Sequence, residues 1–254
     1  IGNAEVVKAL VSMADSGRVA HAMLMYENEG CGALALALAY VQYLNCAHPV
    51  DGDSCGECPS CRQMSKLIHP DVHYVFPVNK GPKTSDDKPT SESYIKYWRE
   101  LALANPYFTE ADLQRAIGIE SKNGLIAVAE AKFIINTLSL TSVADGYKAV
   151  ILYLPEKMNQ ETANRLLKMV EEPHEKTIFI FITHSPEKVL QTIFSRCQSV
   201  RVMPLSKEEA AQVKALNPFD DSEEYDRFMD LFADLMRAVV SGDLQAALEC
   251  GEMA

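Results

Sequence analysis

The chain has 254 residues, 48% of them hydrophobic, and its 24 Lys and Arg against 35 Asp and Glu give a formal net charge of −11. That length accommodates one large α/β domain and a smaller helical segment, since domains commonly run to about 100 to 200 residues. The negative balance opposes non-specific attraction to nucleic acid, which takes clustered Lys and Arg, and apolar runs such as Ala33 to Val41 and Ile178 to Ile182 are too short to cross a bilayer, so no membrane partner is expected. The first residue is Ile1 rather than Met, so a few native residues are expected ahead of it; with no secretory leader in view, a soluble cytoplasmic protein is expected.

In chain order, an amphipathic helix is predicted over Ala4 to Ala14, closed by Gly17, and His21 to Tyr26 reads as a short buried strand leading into a turn, Glu27 to Gly32. Ala33 to Leu44 alternates Ala and Leu as a strand would, but its length and helix-favouring composition predict a buried helix that delivers Cys46. A strand around Val72 to Val78 is followed by Asn79 to Thr90, rich in Lys, Pro, Asp and Ser, expected to be an exposed, mobile loop. Helical patterns over Ser91 to Leu103 and Leu125 to Leu138 precede a buried strand, Lys148 to Leu154, of the kind found in parallel sheets. A helix from Asn159 to Glu171 stopped by Pro173, a strand Thr177 to Thr183, a short helix near Glu187 to Leu190 and a strand Ser199 to Met203 complete a repeated β-α alternation. The prediction is an α/β fold with a mostly parallel sheet, a boundary near Pro204, and helix beyond a capping box at Ser206 and Glu209.

Four cysteines, Cys46, Cys55, Cys58 and Cys61, stand in the pattern C-x8-C-x2-C-x2-C. A two-residue gap lets successive thiolates curl around one ion, and the longer arm brings the fourth from the end of the preceding helix, so a structural tetrathiolate zinc site is expected. Disulfides in an oxidising compartment and free thiols are the alternatives. His48 lies inside the loop as an unneeded fifth donor, and Cys31 and Cys250 read as core or incidental thiols. A zinc module that reads DNA through Cys46 to Arg62 is disfavoured because that loop is poor in Lys and Arg.

The turn before Ala33 has the outline of a phosphate-binding loop, G-x-x-x-x-G-K-[ST], without its chemistry. Gly30 and Gly32 keep the bend, but Glu27 takes the first glycine position, Ala33 replaces the lysine and Leu34 replaces the magnesium-binding hydroxyl, while Glu27 and Glu29 would repel a triphosphate. Leu154 and Pro155 stand where an acidic pair should follow the strand, and Glu156 is one residue late, a helix-start or solvent-facing carboxylate. A tight strand-to-helix turn that binds no ATP is expected.

Lys148 to Asn159, Ala163-Asn-Arg-Leu-Leu-Lys-Met-Val-Glu-Glu-Pro173 and Phe194-Ser-Arg-Cys-Gln198 resemble the AAA+ core of bacterial clamp-loader subunits, as do Gly17 to Leu24 and the four-cysteine module. The resemblance covers most of residues 1 to 205, and loss of both nucleotide motifs points within the family to the delta prime branch of DNA polymerase III rather than to gamma/tau, which keeps the P-loop lysine. It implies a non-catalytic AAA+ subunit in a ring with gamma/tau and delta subunits, in which neighbours' ATP drives a sliding clamp onto primed DNA. It also implies that Arg196 reaches in trans to a neighbour's γ-phosphate as an arginine finger, with Ser195 and Cys197 positioning it. An active ATPase of the gamma/tau type is the alternative. By this reading residues 1–204 form the AAA+-like domain with a zinc module at 46–61, residues 205–217 a curtailed lid, and residues 218–254 a helical start of a collar domain.

Overall fold

Lys148–Tyr153 and Thr177–Thr183 are apolar without alternation, and such strands need cover on both faces. In the computed structural model, which describes residues 2–139, 142–144 and 146–216, these segments form β3 (Lys148–Tyr153) and β4 (Thr177–Thr183), with every residue buried. They join β1 (Ala22–Tyr26), β2 (Val72–Val75) and β5 (Gln198–Arg201) in a five-stranded sheet of order β2-β3-β4-β1-β5, parallel throughout. The register places Leu24 between Phe181 and Ser199, and Ile151 beside Ile180. The edge strand β5 carries polar Gln198, Ser199 and Arg201, the composition that keeps a strand edge from pairing with other chains. The expected α/β fold with a parallel sheet is what the chain adopts.

Each face of the sheet has its own helical cover. Met23, Met25, Ile151, Tyr153, Ile180 and Ile182 pack under α1 (Ala4–Asp15), α2 (Ala33–Leu44), α4 (Ser91–Ala104) and α5 (Glu110–Ile117). Leu24, Val150, Leu152, Phe179 and Phe181 pack under α6 (Val128–Leu138), α7 (Gln160–Glu171) and α8 (Gln191–Phe194). The buried set in α2 is Ala33, Leu34, Ala37, Tyr40 and Val41, a helical spacing, so the apparent Ala/Leu alternation is overridden by helix propensity. On the same face Trp98 stacks on Tyr74 and Phe76 at 4.5 and 5.7 Å between ring centroids.

Several boundaries differ from expectation for local reasons. The strand predicted to Val78 ends at Val75, and Val78 pairs antiparallel with Leu125 instead, which delays α6 to Val128. In place of a helix at 187–190 there are a 3-10 turn, Pro186–Lys188, and then α8. Segment 79–90, expected to be a mobile loop, is tied at both ends: Asn79 O accepts from Tyr94 Oη at 2.8 Å, Lys80 O accepts from Lys122 Nζ, and Asp86 and Asp87 accept from Ser93 and Lys80. Helices α3 (Pro59–Met64) and α5 have no counterpart among the predicted elements; both are short and begin at side-chain caps, Cys58 and Thr109. The capping box is formed, with Ser206 N donating to Glu209 Oε2 and Glu209 N to Ser206 Oγ, and starts α9 (Lys207–Leu216). Residues through Ala210 make one compact unit. The collar segment at 218–254 and Cys250 lie outside the described residues.

Candidate functional site

Adjacent strands β1 and β4 send their connections in opposite directions along the sheet, β1 toward β2 and β4 toward β5. Beyond their carboxyl ends lies the crevice where open α/β sheets take ligands. Here it is a cleft of about 640 Å³ lined by Glu29, Glu110, Leu154, Glu156, Lys157 and His184. Its three carboxylates are accompanied by Lys157, Lys188 and His184. Glu156 accepts from Thr183 Oγ1 at 2.8 Å, and burial raises its pKa; it lies in the 3-10 turn Pro155–Lys157, half-buried at the wall of the cleft. Lys157 pairs with Glu110 at 2.8 Å.

The turn between β1 and α2 is filled by the chain itself. Glu27, only 8% exposed, turns its carboxylate onto the first N–H of α2, with Ala33 N donating to Oε2 at 2.7 Å. A helix N-terminus leaves such N–H groups without intrahelical partners and attracts anions to them. A carboxylate of the same chain holds the place a phosphate would take, and His184 Nε2 stands 3.6 Å from its other oxygen. Gly32 has φ 101°, and a Cβ there would come within 2.5 Å of Tyr107 Cε1, so glycine is required both for the bend and for the ring that covers it. Glu29 Oε1 accepts from Glu110 N, which fastens the start of α5 to the same turn. Ala33 and Leu34, the lysine and hydroxyl positions of a working loop, are core residues. Sequence spacing locates Gly30, Gly32, Ala33 and Leu34 but gives no signal for Tyr107, Glu110 or His184, which arrive from distant segments.

The four cysteines converge. Their sulfurs all lie within 4.8 Å of one another, against about 3.8 Å for the edges of a tetrahedron with metal–sulfur bonds near 2.3 Å. Cys46 follows directly on the end of α2, and Cys58 is the N-cap of α3, ahead of Pro59. Backbone N–H groups of Cys55, Cys58 and Cys61 donate to the sulfurs of Cys46, Cys55 and Cys58 at 3.2, 3.4 and 3.5 Å. For Cys58 burial opposes ionisation, but backbone donors including Ala47 and Cys61 outweigh it and bring the thiol down to about 6, whereas burial drives Cys61 up to about 12. Four thiolates this close would repel one another without a cation among them, and the cluster has the donor set to bind a metal ion.

Arg196 lies at the opposite end of the sheet. It stands two residues before β5, level with the start of β1. Six residues of strand rise separate that level from Glu27, roughly 20 Å at about 3.3 Å per residue. Its Nε donates to Glu171 Oε1, and its Nη1 to Thr192 O at 2.8 Å and Ser195 Oγ at 3.3 Å. The side chain remains 36% exposed. Cys197 is packed against the core under α7 and α8, where burial pushes its thiol up to about 12.

A family model described as DNA polymerase III, delta subunit, matches residues 2–206. Proteins named DNA polymerase III subunit delta' are 29% identical over 178 residues in Pseudomonas aeruginosa and 32% over 192 residues in Yersinia pestis, covering 70% and 75% of this chain and 42% and 44% of theirs. A gamma/tau subunit of Mycobacterium tuberculosis is 29% identical over 196 residues, 77% of this chain and 26% of that protein. The chain thus spans less than half the length of these relatives. With its model matched over residues 2–206 and curated relatives of that name in several bacteria, the chain belongs to the DNA polymerase III delta-subunit family and falls with its delta prime members.

Proposed function

We propose that the chain is a non-hydrolysing delta prime subunit of a bacterial clamp loader. It binds no ATP, takes its place in a ring with gamma/tau and delta subunits, and supports the ATP-driven loading of a sliding clamp onto primed DNA. The observation that carries this reading is Glu27, whose buried carboxylate accepts the N–H of Ala33 at the phosphate position of the β1–α2 turn. A triphosphate entering there would have to expel that carboxylate and would find neither a lysine nor a metal-binding hydroxyl.

Arg196 supplies the complementary half of the mechanism. About 20 Å from its own turn by strand rise, it can serve only a phosphate held by another subunit, where its planar fork stabilises charge spreading over the transferring group. The ion at Cys46, Cys55, Cys58 and Cys61 is zinc, a closed structural site with no position left for water or substrate. Residues 1–204 are the AAA+-like domain, 205–217 a curtailed lid, and 218–254 the start of a collar. The setting is cytoplasmic.

The gamma/tau relatives favour a second reading, an active ATPase of that type. Calorimetric titration of ATP into the purified chain, with and without magnesium, separates the two. The first reading predicts no site tighter than millimolar; micromolar, magnesium-dependent binding establishes the second.

A further inference from the structure

We infer that Glu171 is the positioning residue for Arg196, aiming its guanidinium out of the molecule, an inference that rests on the finger role proposed above. A long side chain on a turn after a four-residue helix has many rotamers, and a group that must meet a phosphoryl oxygen in one orientation loses that freedom on engagement. Here much of the freedom is already gone. Glu171 takes the Nε–H, while the Thr192 carbonyl and the Ser195 hydroxyl take Nη1. Nη2 has no partner among the described residues, and the side chain is partly open to solvent. The carboxylate therefore grips the inner edge of the fork and leaves an outer edge available to a phosphate.

The location of Glu171 argues for a role beyond stability. It is the last residue of α7, followed by Glu172 at the C-cap. Carboxylates at a helix C-terminus oppose the macrodipole, and a half-exposed ion pair returns little in compensation. A chain selected for helix stability alone would place Lys or Arg there. The two elements that carry the pair, α7 and α8, share one core with Cys197 partly buried against it, so the acceptor and the turn bearing Arg196 are held in fixed relation.

The test is a double-mutant cycle in the assembled complex, made with full-length protein and its gamma/tau and delta partners and read as clamp- and DNA-stimulated ATP hydrolysis. At the one ATP site this chain would serve, Glu171→Ala is expected to lower the rate on the order of 10-fold with little change in KM, less than the 10²-fold that a 1 Å misplacement can cost, and the total falls by at most that site's share. Glu171→Gln, which keeps an oxygen for the Nε–H, should recover most of the rate. In an Arg196→Ala background Glu171→Ala should change nothing further. A lowered rate with Arg196→Ala but an unchanged or raised rate with Glu171→Ala overturns the positioning role and leaves the finger intact. A further loss from Glu171→Ala in the Arg196→Ala background also overturns it, because Glu171 would then act through something else. No effect of Arg196→Ala in an intact complex removes the finger and this inference with it. Gel filtration of each complex confirms assembly.

Discussion

The N–H of Ala33 begins α2 without an intrahelical acceptor, and Glu27 satisfies it from within the chain. Removing that carboxylate with Glu27→Ala leaves a buried donor unpaired, a loss of about 1 to 3 kcal/mol that urea denaturation would register. It should not create an ATP site, because the lysine and hydroxyl positions remain Ala33 and Leu34. The cysteines give a second prediction at this scale. Cys58 is both a candidate metal ligand and the cap of α3, so Cys58→Ser should drop bound zinc below one ion per chain. A structural zinc site contributes folding energy directly, so the melting temperature should fall by roughly 5 to 10 °C, as for about 2 to 3 kcal/mol in a chain of this size. Metal analysis together with a thermal scan checks both. Undiminished zinc in the variant would place the ion elsewhere.

Among the elements, α4 is fixed by two contacts of different kinds. Trp98 is wedged between Tyr74, Phe76 and Phe108 and is 1% exposed, so Trp98→Ala should cost about 3 to 5 kcal/mol in chemical denaturation. At the start of the helix, Ser91 N donates at 2.8 Å to Glu130 of α6, whose other oxygen has no partner. Burial, with Glu92 as a smaller contributor, raises the Glu130 pKa to about 7, partly offset by the bond from Ser91. A carboxyl that holds its proton more tightly folded than unfolded stabilises the fold at low pH. That contribution fades as pH rises from about 4.5 through 7. Stability should therefore fall by about 3 kcal/mol over that range relative to Glu130→Gln, since a tenfold change in proton affinity on folding corresponds to about 1.4 kcal/mol. Parallel slopes for the two proteins in urea melts at pH 5 and 8 would contradict the assignment. These contacts also mark where the sequence stops being readable. Buried runs such as Lys148 to Leu154 announce themselves by composition, and the cysteines and the Ser206 box by spacing. Glu130 and Tyr107 act on residues far along the chain, and no local pattern records that; α5 escapes notice because its eight residues present too little periodicity. Glu171 is in view within its Glu-Glu-Pro motif, but its partner is not.

Taken as a molecule, the chain places a self-filled turn at the carboxyl ends of its parallel strands and an outward-facing arginine near their amino ends. A net charge of −11 gives the chain little attraction of its own for nucleic acid. The account thus depends on Arg196 acting on ATP held by a neighbour. The most direct measurement is steady-state ATP hydrolysis by the reconstituted clamp loader carrying wild-type protein, Arg196→Ala or Arg196→Lys, with assembly verified in each case. Arginine fingers are worth about 10³ to 10⁵ in rate at their own site, and a ring with several sites retains the turnover of the others. The predicted result is a substantial loss for Arg196→Ala and poor rescue by lysine, whose point charge cannot reproduce the planar fork. Hydrolysis and clamp loading at the wild-type rate in an intact Arg196→Ala complex would contradict the account.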